Sequence, residues 1–466
     1  MFLMHQVELR TLQRELLAPG PRAVVVSGPP QIGKTTLVRR GMRGRESLWF
    51  RGSTLPTPLL AKEHGARIGD HGGRGADARD WSDLSTALRH GIDLGRFDGS
   101  VIVWDRADRL LRDPRWRKML EEVWSDLRAR ARPVHIIVIA RAPPPPEATD
   151  FLGSPSTPLA SIRLRPLGLR EATAQVSSWS PLQRLTGYAL LGGEPAVWDR
   201  VDPEVRLSTN LIRLVLEPGA PLRSFVEERF PIPGRNPERS LALVDAMARG
   251  ARDWGELKEQ ARVFKASSEL GPYMKSLHRH GLIESRRPLD ARPATRRRRY
   301  QLEDPLLATW HELVRPHLAG LDGGASPRRI WTERIRPGVA RRVARRLPGL
   351  LANHLRRHGE EQFHARARET GGLWGDGIDI PVAGILTNGS AVYGTTSWDD
   401  PGPSAVGALA QQVSETRYGY GRESRSLVIL SAQPVAWEVQ RSVTRRGDAV
   451  LLGPGALAGN GSGSGE

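Results

Sequence analysis

The chain has 466 residues, a formal net charge of +18 and no cysteine, and its sequence pI is near 11.0. The missing cysteine excludes a disulfide framework and any cysteine-ligated metal centre, and it agrees with a reducing cytoplasm. No apolar run reaches membrane-spanning length, and residues 1–10 lack the basic-then-apolar layout of a secretory leader, so a soluble cytoplasmic chain of about three domains with no membrane partner is expected.

The charge fits a polyanionic partner, because clustered cations gain affinity by releasing counterions from phosphates. Nearly all of it is arginine, with lysine only at Lys34, Lys62, Lys118, Lys258, Lys265 and Lys275. A compositional bias spread over the surface explains that equally well.

In chain order, Val7, Leu9, Leu12, Leu16 and Leu17 have helical spacing and run into Pro19-Gly20-Pro21, a turn. Ala23 to Val26 then reads as a buried strand. It leads into Gly28-Pro29-Pro30-Gln31-Ile32-Gly33-Lys34-Thr35-Thr36, a full match to G-x-x-x-x-G-K-[ST]. Gly28 and Gly33 allow the backbone to curl so that successive N–H groups face a nucleotide's phosphates at a helix N-terminus. Lys34 would reach the β- and γ-phosphates of ATP, and Thr35 would offer its hydroxyl to Mg²⁺. The stretch from Leu55 to Ala78, rich in Gly, Asp and His, reads as an exposed loop with His64 and His71 solvated.

Val101-Ile102-Val103-Trp104-Asp105 is an apolar strand ending in an acid, the arrangement that organises Mg²⁺ in P-loop NTPases, so Asp105 is the candidate second metal-side group. Arg106 follows, where a water-orienting glutamate would suit hydrolysis; Asp108 is a candidate substitute base at a different reach, and slow or absent hydrolysis is the equally simple reading. A further buried strand, Val134 to Ala140, ends in Arg141, placed to sense the γ-phosphate through charge-assisted hydrogen bonds. Gly192-Gly193-Glu194-Pro195 opens a helical lid.

Short helices then cover Leu241 to Ala248, Trp254 to Ala261 and Glu269 to His280, followed by strands at Gly281 and Tyr300. Three helices and a two-stranded wing make a winged helix. Its recognition helix would offer Lys275, His278 and Arg279 to DNA, and its wing would offer Arg286, Arg287, Arg292 and Arg296 to Arg299. Winged helices also dock proteins. An arginine-rich helical region, Arg328 to Arg357, precedes strands at Asp379 and Tyr393, a helix from Val406 to Val413 and a closing strand from Ser426 to Ser431. Gly453 to Glu466, dominated by Gly and Ser, reads as a flexible tail.

The order of these parts resembles the archaeal-type ATPase family, a branch of the STAND P-loop NTPases with a winged helix and often a C-terminal domain related to PD-(D/E)xK nucleases. The residues that carry the likeness are Glu8-Leu9, Gly28 to Thr35, Asp105, Arg141, Gly192 to Pro195, and Tyr300-Gln301-Leu302-Glu303-Asp304-Pro305 with Trp310. The resemblance implies an ATP-dependent switch in which Pro195 and the region near Glu8 border the adenine and Arg141 reports on the γ-phosphate.

The chain departs from the family at Arg106, where the acid pair would continue. It departs again in the C-terminal strands, where Asp379 stands in the first metal position but Thr395 and Ser397 replace the acid and lysine of the second. Two neutral hydroxyls cannot supply the charge that binds a metal, so a degenerate nuclease fold is expected.

The expected fold is therefore α/β: a P-loop NTPase parallel sheet (residues 1–180) with a helical lid (181–235), then a winged helix (236–318), a small α/β nuclease-like domain (325–440) and a flexible tail (441–466). The expected function is a nucleotide-gated DNA-binding ATPase that turns ATP over slowly. The alternative is a non-hydrolysing, ATP-bound scaffold for a protein partner or for self-association.

Overall fold

A computed structural model describes residues 5–71, 77–141, 143–153, 158–234, 236–292, 295, 297–422 and 424–459. The chain divides into two compact units, Met1–Leu167 and Gly168–Glu466.

In the first unit, β1 (Ala23–Ser27), β2 (Ser47–Arg51), β3 (Val101–Asp105), β4 (His135–Ala140) and β5 (Ala160–Arg163) form a parallel sheet in the order β2-β3-β4-β1-β5. Such a sheet is covered on both faces, which is why its strands read as unbroken apolar runs. Alternate side chains go to opposite faces. Val25, Phe50, Trp104 and Val138 join one core with α3 (Thr57–Asp70), α4 (Trp81–Asp93) and α5 (Pro114–Ala129). Val24, Val26, Val103 and Ile139 join the other with α1 (Gln6–Leu17) and α2 (Lys34–Gly41).

Helix α3 corrects the expected loop over Leu55 to Ala78. Leu60, Ala61, His64, Gly65 and Ile68 make its buried side, a helical spacing masked by the Gly, Asp and His residues between them. His64 is not solvated: it is 0% exposed, its Nε2 lies 3.2 Å from the Arg51 carbonyl, and its ring centroid lies 5.0 Å from that of Phe50. Burial holds its pKa down to about 4, so it is a neutral core residue. His71 is exposed, as expected.

The second unit begins with short helices that include Pro181–Leu191 and Pro195–Trp198. Three helices follow, Pro237–Arg249, Trp254–Ala261 and Leu270–Arg279, and then an antiparallel pair, β6 (Ile283–Arg286) with β7 (Arg299–Leu302). A second five-stranded sheet consists of β8 (Ala367–Gly375), β9 (Ile378–Leu386), β10 (Ala391–Ser397), β11 (Arg425–Ser431) and β12 (Ala449–Leu452). Its first three strands are antiparallel, and β10, β11 and β12 run parallel through the helices Ala405–Glu415 and Trp437–Arg446.

Residues 449–458 of the expected flexible tail form β12 and a helix, and residues 460–466 lie outside the described residues. Ser426 to Ser431 does not close the sheet, because β12 pairs outside it. Beyond β12, Leu457 and Ala458 are buried in the helix Pro454–Ala458. Arg170 donates to the Ala456 carbonyl at 2.7 Å and Arg184 to the Gly459 carbonyl at 2.6 Å. Two arginines more than two hundred residues upstream thus satisfy the carbonyls of a segment whose glycine content suggests disorder.

Candidate functional site

The P-loop connects β1 to α2 at the C-terminal edge of the first sheet. Gly28 has φ +153°, and a Cβ there would lie 2.7 Å from the Leu164 carbonyl oxygen, so the tight turn out of β1 requires glycine. Gln31 and Gly33 take positive φ values of 62° and 94°. Ile32 is buried and anchors the loop in the core, while Pro30, Gln31 and Thr36 are exposed and Pro29 is half-buried. Helix α2 starts at Lys34 with no side-chain cap and no acid in its first turn. Its N–H groups and positive dipole end are therefore left for an anion.

The Lys34 ammonium donates to the carbonyls of Gly28 and Pro29, both at 2.6 Å, so it reaches across the mouth of the loop. The Thr35 hydroxyl donates to Asp105 Oδ2 at 3.2 Å. These two residues, 70 apart in sequence, come together although β4 separates their strands. The other oxygen, Oδ1, accepts from the Arg106 N–H at 2.8 Å. Arg106 is exposed with φ 55°, and its carbonyl leaves no space for a Cβ at Gly52, which would lie 2.2 Å away. Gly52 is a site-shaping residue that the sequence reading missed. Its signal is a glycine directly after the strand that neighbours β3.

Arg141 stands at the end of β4, directly beside the P-loop strand, with its side chain exposed. Its backbone N–H donates to Asp108 Oδ1 at 2.6 Å, so one oxygen of the candidate base ties the β3 loop to β4. Pro195 belongs to the second unit, where it is buried at the start of its helix.

The donor set fits a nucleotide with Mg²⁺. Gly28 leaves no room for a Cβ, Gly33 needs its positive φ, and beside them the Ser27 hydroxyl is buried without a hydrogen-bond partner among the described residues. Thr35 and Asp105 supply one hydroxyl and one carboxylate, and among the described residues no group of three His, Cys, Asp or Glu could hold a metal unaided. Mg²⁺ is commonly held in this way, by one or two protein groups with phosphates and water completing the shell.

The parallel five-stranded sheet of the first unit, with Gly28 to Thr35 following β1, is consistent with a P-loop NTPase fold. No family model matches the chain. It is 21% identical over 358 residues to the uncharacterized protein MJECL04 of Methanocaldococcus jannaschii, covering 70% of this chain and 71% of that one. Among solved structures it is similar to the Walker-type ATPase PABY2304 of Pyrococcus abyssi, with 15% identity, 66% of this chain and 96% of that one covered, and a TM-score of 0.43. It is also similar to the Aeropyrum pernix ORC2 protein in ADPNP and ADP complexes, with 15% identity, 69% and 93% covered, and a TM-score of 0.40. A third is Aeropyrum pernix ORC1 in complex with DNA, with 16% identity, 69% and 95% covered, and a TM-score of 0.36.

In the second unit, several arginines of the β6-β7 hairpin and its loop already have partners. Arg297 forms a two-point pair with Asp376 at 2.7 and 2.8 Å, and Arg299 a two-point pair with Asp379 at 2.8 and 3.1 Å. Arg286 pairs with Glu284 and Arg298 donates to Ser285. Arg287 is solvent-accessible, and Arg296 lies outside the described residues. Lys275, His278 and Arg279 lie exposed on their helix. Asp379 thus faces a guanidinium, while Thr395 and Ser397 sit half-buried at the end of β10. Among the described residues no helix is long and apolar enough to cross a membrane.

Proposed function

We propose that the chain is an ATP-binding, STAND-like P-loop ATPase that acts as a nucleotide-gated DNA-binding switch. The observation that carries the nucleotide reading is the joining of Lys34, Thr35 and Asp105 around one loop. Gly28 to Thr36 hold the phosphates, Thr35 and Asp105 hold Mg²⁺, and Arg141 senses the γ-phosphate. Bound Mg²⁺ neutralises charge on the phosphate oxygens.

The helices Pro237–Arg249, Trp254–Ala261 and Leu270–Arg279 with the β6-β7 hairpin act as a winged helix, and Lys275, His278 and Arg279 face the duplex. The sheet from β8 to β12 is a degenerate nuclease fold. Support comes from Asp379, whose carboxylate is taken up by Arg299, and from the uncharged Thr395 and Ser397.

The second reading, a non-hydrolysing scaffold that holds ATP and recruits a protein, draws on two observations. Arg106 occupies the place of a water-orienting acid, and Asp108 has one oxygen engaged by the Arg141 amide. Phosphate release measured with and without duplex DNA separates the two. Slow release that rises with DNA is expected of the switch, and no release under either condition favours the scaffold.

A further inference from the structure

Within the second unit, a cavity of about 420 Å³ opens between the β6-β7 hairpin, the helices Pro237–Arg249 and Arg336–Ala344, and the β8-β9 hairpin. Pockets of this size take small molecules. Among the described residues, seven arginines line it, and Asp379 is the only acid that does so. Four of the seven, Arg341, Arg342, Arg345 and Arg346, come from one helical stretch, where a spacing of one and four residues puts their side chains on adjoining faces. Arg252, Arg286 and Arg299 close the opposite side.

The carboxylates in reach are too few for these cations. Glu312, 2% exposed, is shared by Arg341, Arg342 and Arg345 at 3.5, 3.7 and 2.9 Å. Asp379 is used by Arg299 and Glu284 by Arg286. Asp304 acts on Arg342 and Arg346 through space, and its oxygen already accepts from the N–H groups of Leu306 and Leu307. Among the described residues, four acids therefore stand against seven guanidiniums.

Of these cations Arg342 is buried and Arg346 half-buried. The Nε atoms of Arg342 and Arg346 have no hydrogen-bond partner among the described residues, and the Arg342 side chain is 6% exposed. Burial, and next the neighbouring Arg346, lower the Arg342 pKa to about 10, which leaves it charged at neutral pH. Buried like charges without donors satisfied are costly, and a multivalent anion removes that cost. The fold makes space for them as well: Gly250, at φ +111°, has no Cβ to meet Arg345 Nε, which would lie 2.9 Å away.

We infer that this cavity is a second anion site, separate from the P-loop, that binds a small ligand carrying two or more linked phosphates. Guanidinium forks match phosphate oxygens two at a time, and the Trp374 ring, 4.8 Å from the Arg299 guanidinium, gives the site a flat apolar wall.

The test uses the full chain carrying Lys34→Ala, so that the P-loop is silenced, titrated by calorimetry with inorganic pyrophosphate and separately with ADP. Saturable binding of either probe is expected. Adding Arg252→Ala and Arg341→Ala, both exposed and so compatible with folding, should weaken it roughly tenfold or more for each arginine removed. A tighter fit for ADP identifies a nucleotide as the ligand, and equal affinities identify the phosphates alone. Neither probe binding, or binding that the two substitutions leave unchanged in a chain with an unchanged melting temperature, would overturn the inference. So would an oligonucleotide held by these arginines when both small probes are refused.

Discussion

Asp105 and Asp379 are two strand carboxylates that the sequence marks as metal ligands, and their surroundings make them different groups. Asp105 ends a buried parallel strand, receives the Thr35 hydroxyl at 3.2 Å and has no guanidinium bonded to it among the described residues. Asp379, near the start of β9, receives both terminal nitrogens of Arg299. A carboxylate with a two-point arginine already has its charge compensated and its lone pairs occupied, so a cation gains little there. The position of an acid on a strand nominates it for metal binding, and its neighbours on other elements decide the outcome.

The comparison can be broken or sharpened in steps. The largest effect is expected from the histidines that support the Asp105 half. Burial lowers both His64 and His135 to about 4. The unfolded imidazole titrates near 6.5, so each histidine contributes stability that is complete above about pH 6.5 and is lost as pH falls towards 4, roughly 3 kcal/mol apiece at most. Melting of the full chain between pH 7.5 and 4.5 should show its low-pH loss in the first unit's transition. A flat profile would contradict the neutral buried histidines.

Next comes Lys34→Ala. Removing the ammonium that spans the loop mouth should weaken ATP binding on the order of 100-fold, as loss of a charged donor to phosphate does, with little change in melting temperature. Unchanged affinity in calorimetry would remove the site assignment. The comparison itself is tested by two matched substitutions. Asp105→Asn should cost about tenfold in the Mg²⁺-dependent part of ATP binding, while Asp379→Asn should leave it untouched and should leave plasmid nicking absent in both chains. Equal effects would erase the distinction. The smallest effect is expected at Arg299→Ala: its pair is partly exposed, with Asp379 52% accessible, so urea unfolding should shift by less than about 1 kcal/mol.

The P-loop was legible because its chemistry is local: glycine spacing, lysine and hydroxyl lie within a few residues of a strand. Asp105 was legible as a strand end, but its meeting with Thr35 depends on the strand order β2-β3-β4-β1-β5, which no window of sequence contains. Helix α3 was missed because His64 counts as polar in a pattern search, whereas here it is a core residue among Phe50, Trp81 and Trp104. The tail was misread for a related reason: composition suggested freedom, and the residues that hold it, Arg170 and Arg184, are remote in sequence. Arg297 and Arg299 were visible as charge, but their engagement by Asp376 and Asp379 was not, since those acids lie about eighty positions later.

The most direct test of the nucleotide-gated switch is the affinity of the full chain for a labelled DNA duplex, measured by fluorescence anisotropy without nucleotide, with ATP and with ADP across a salt series. Binding that falls steeply with salt and differs between nucleotide states is predicted. Absent binding, or weak binding indifferent to nucleotide, would contradict the switch and make the basic surface a matter of composition.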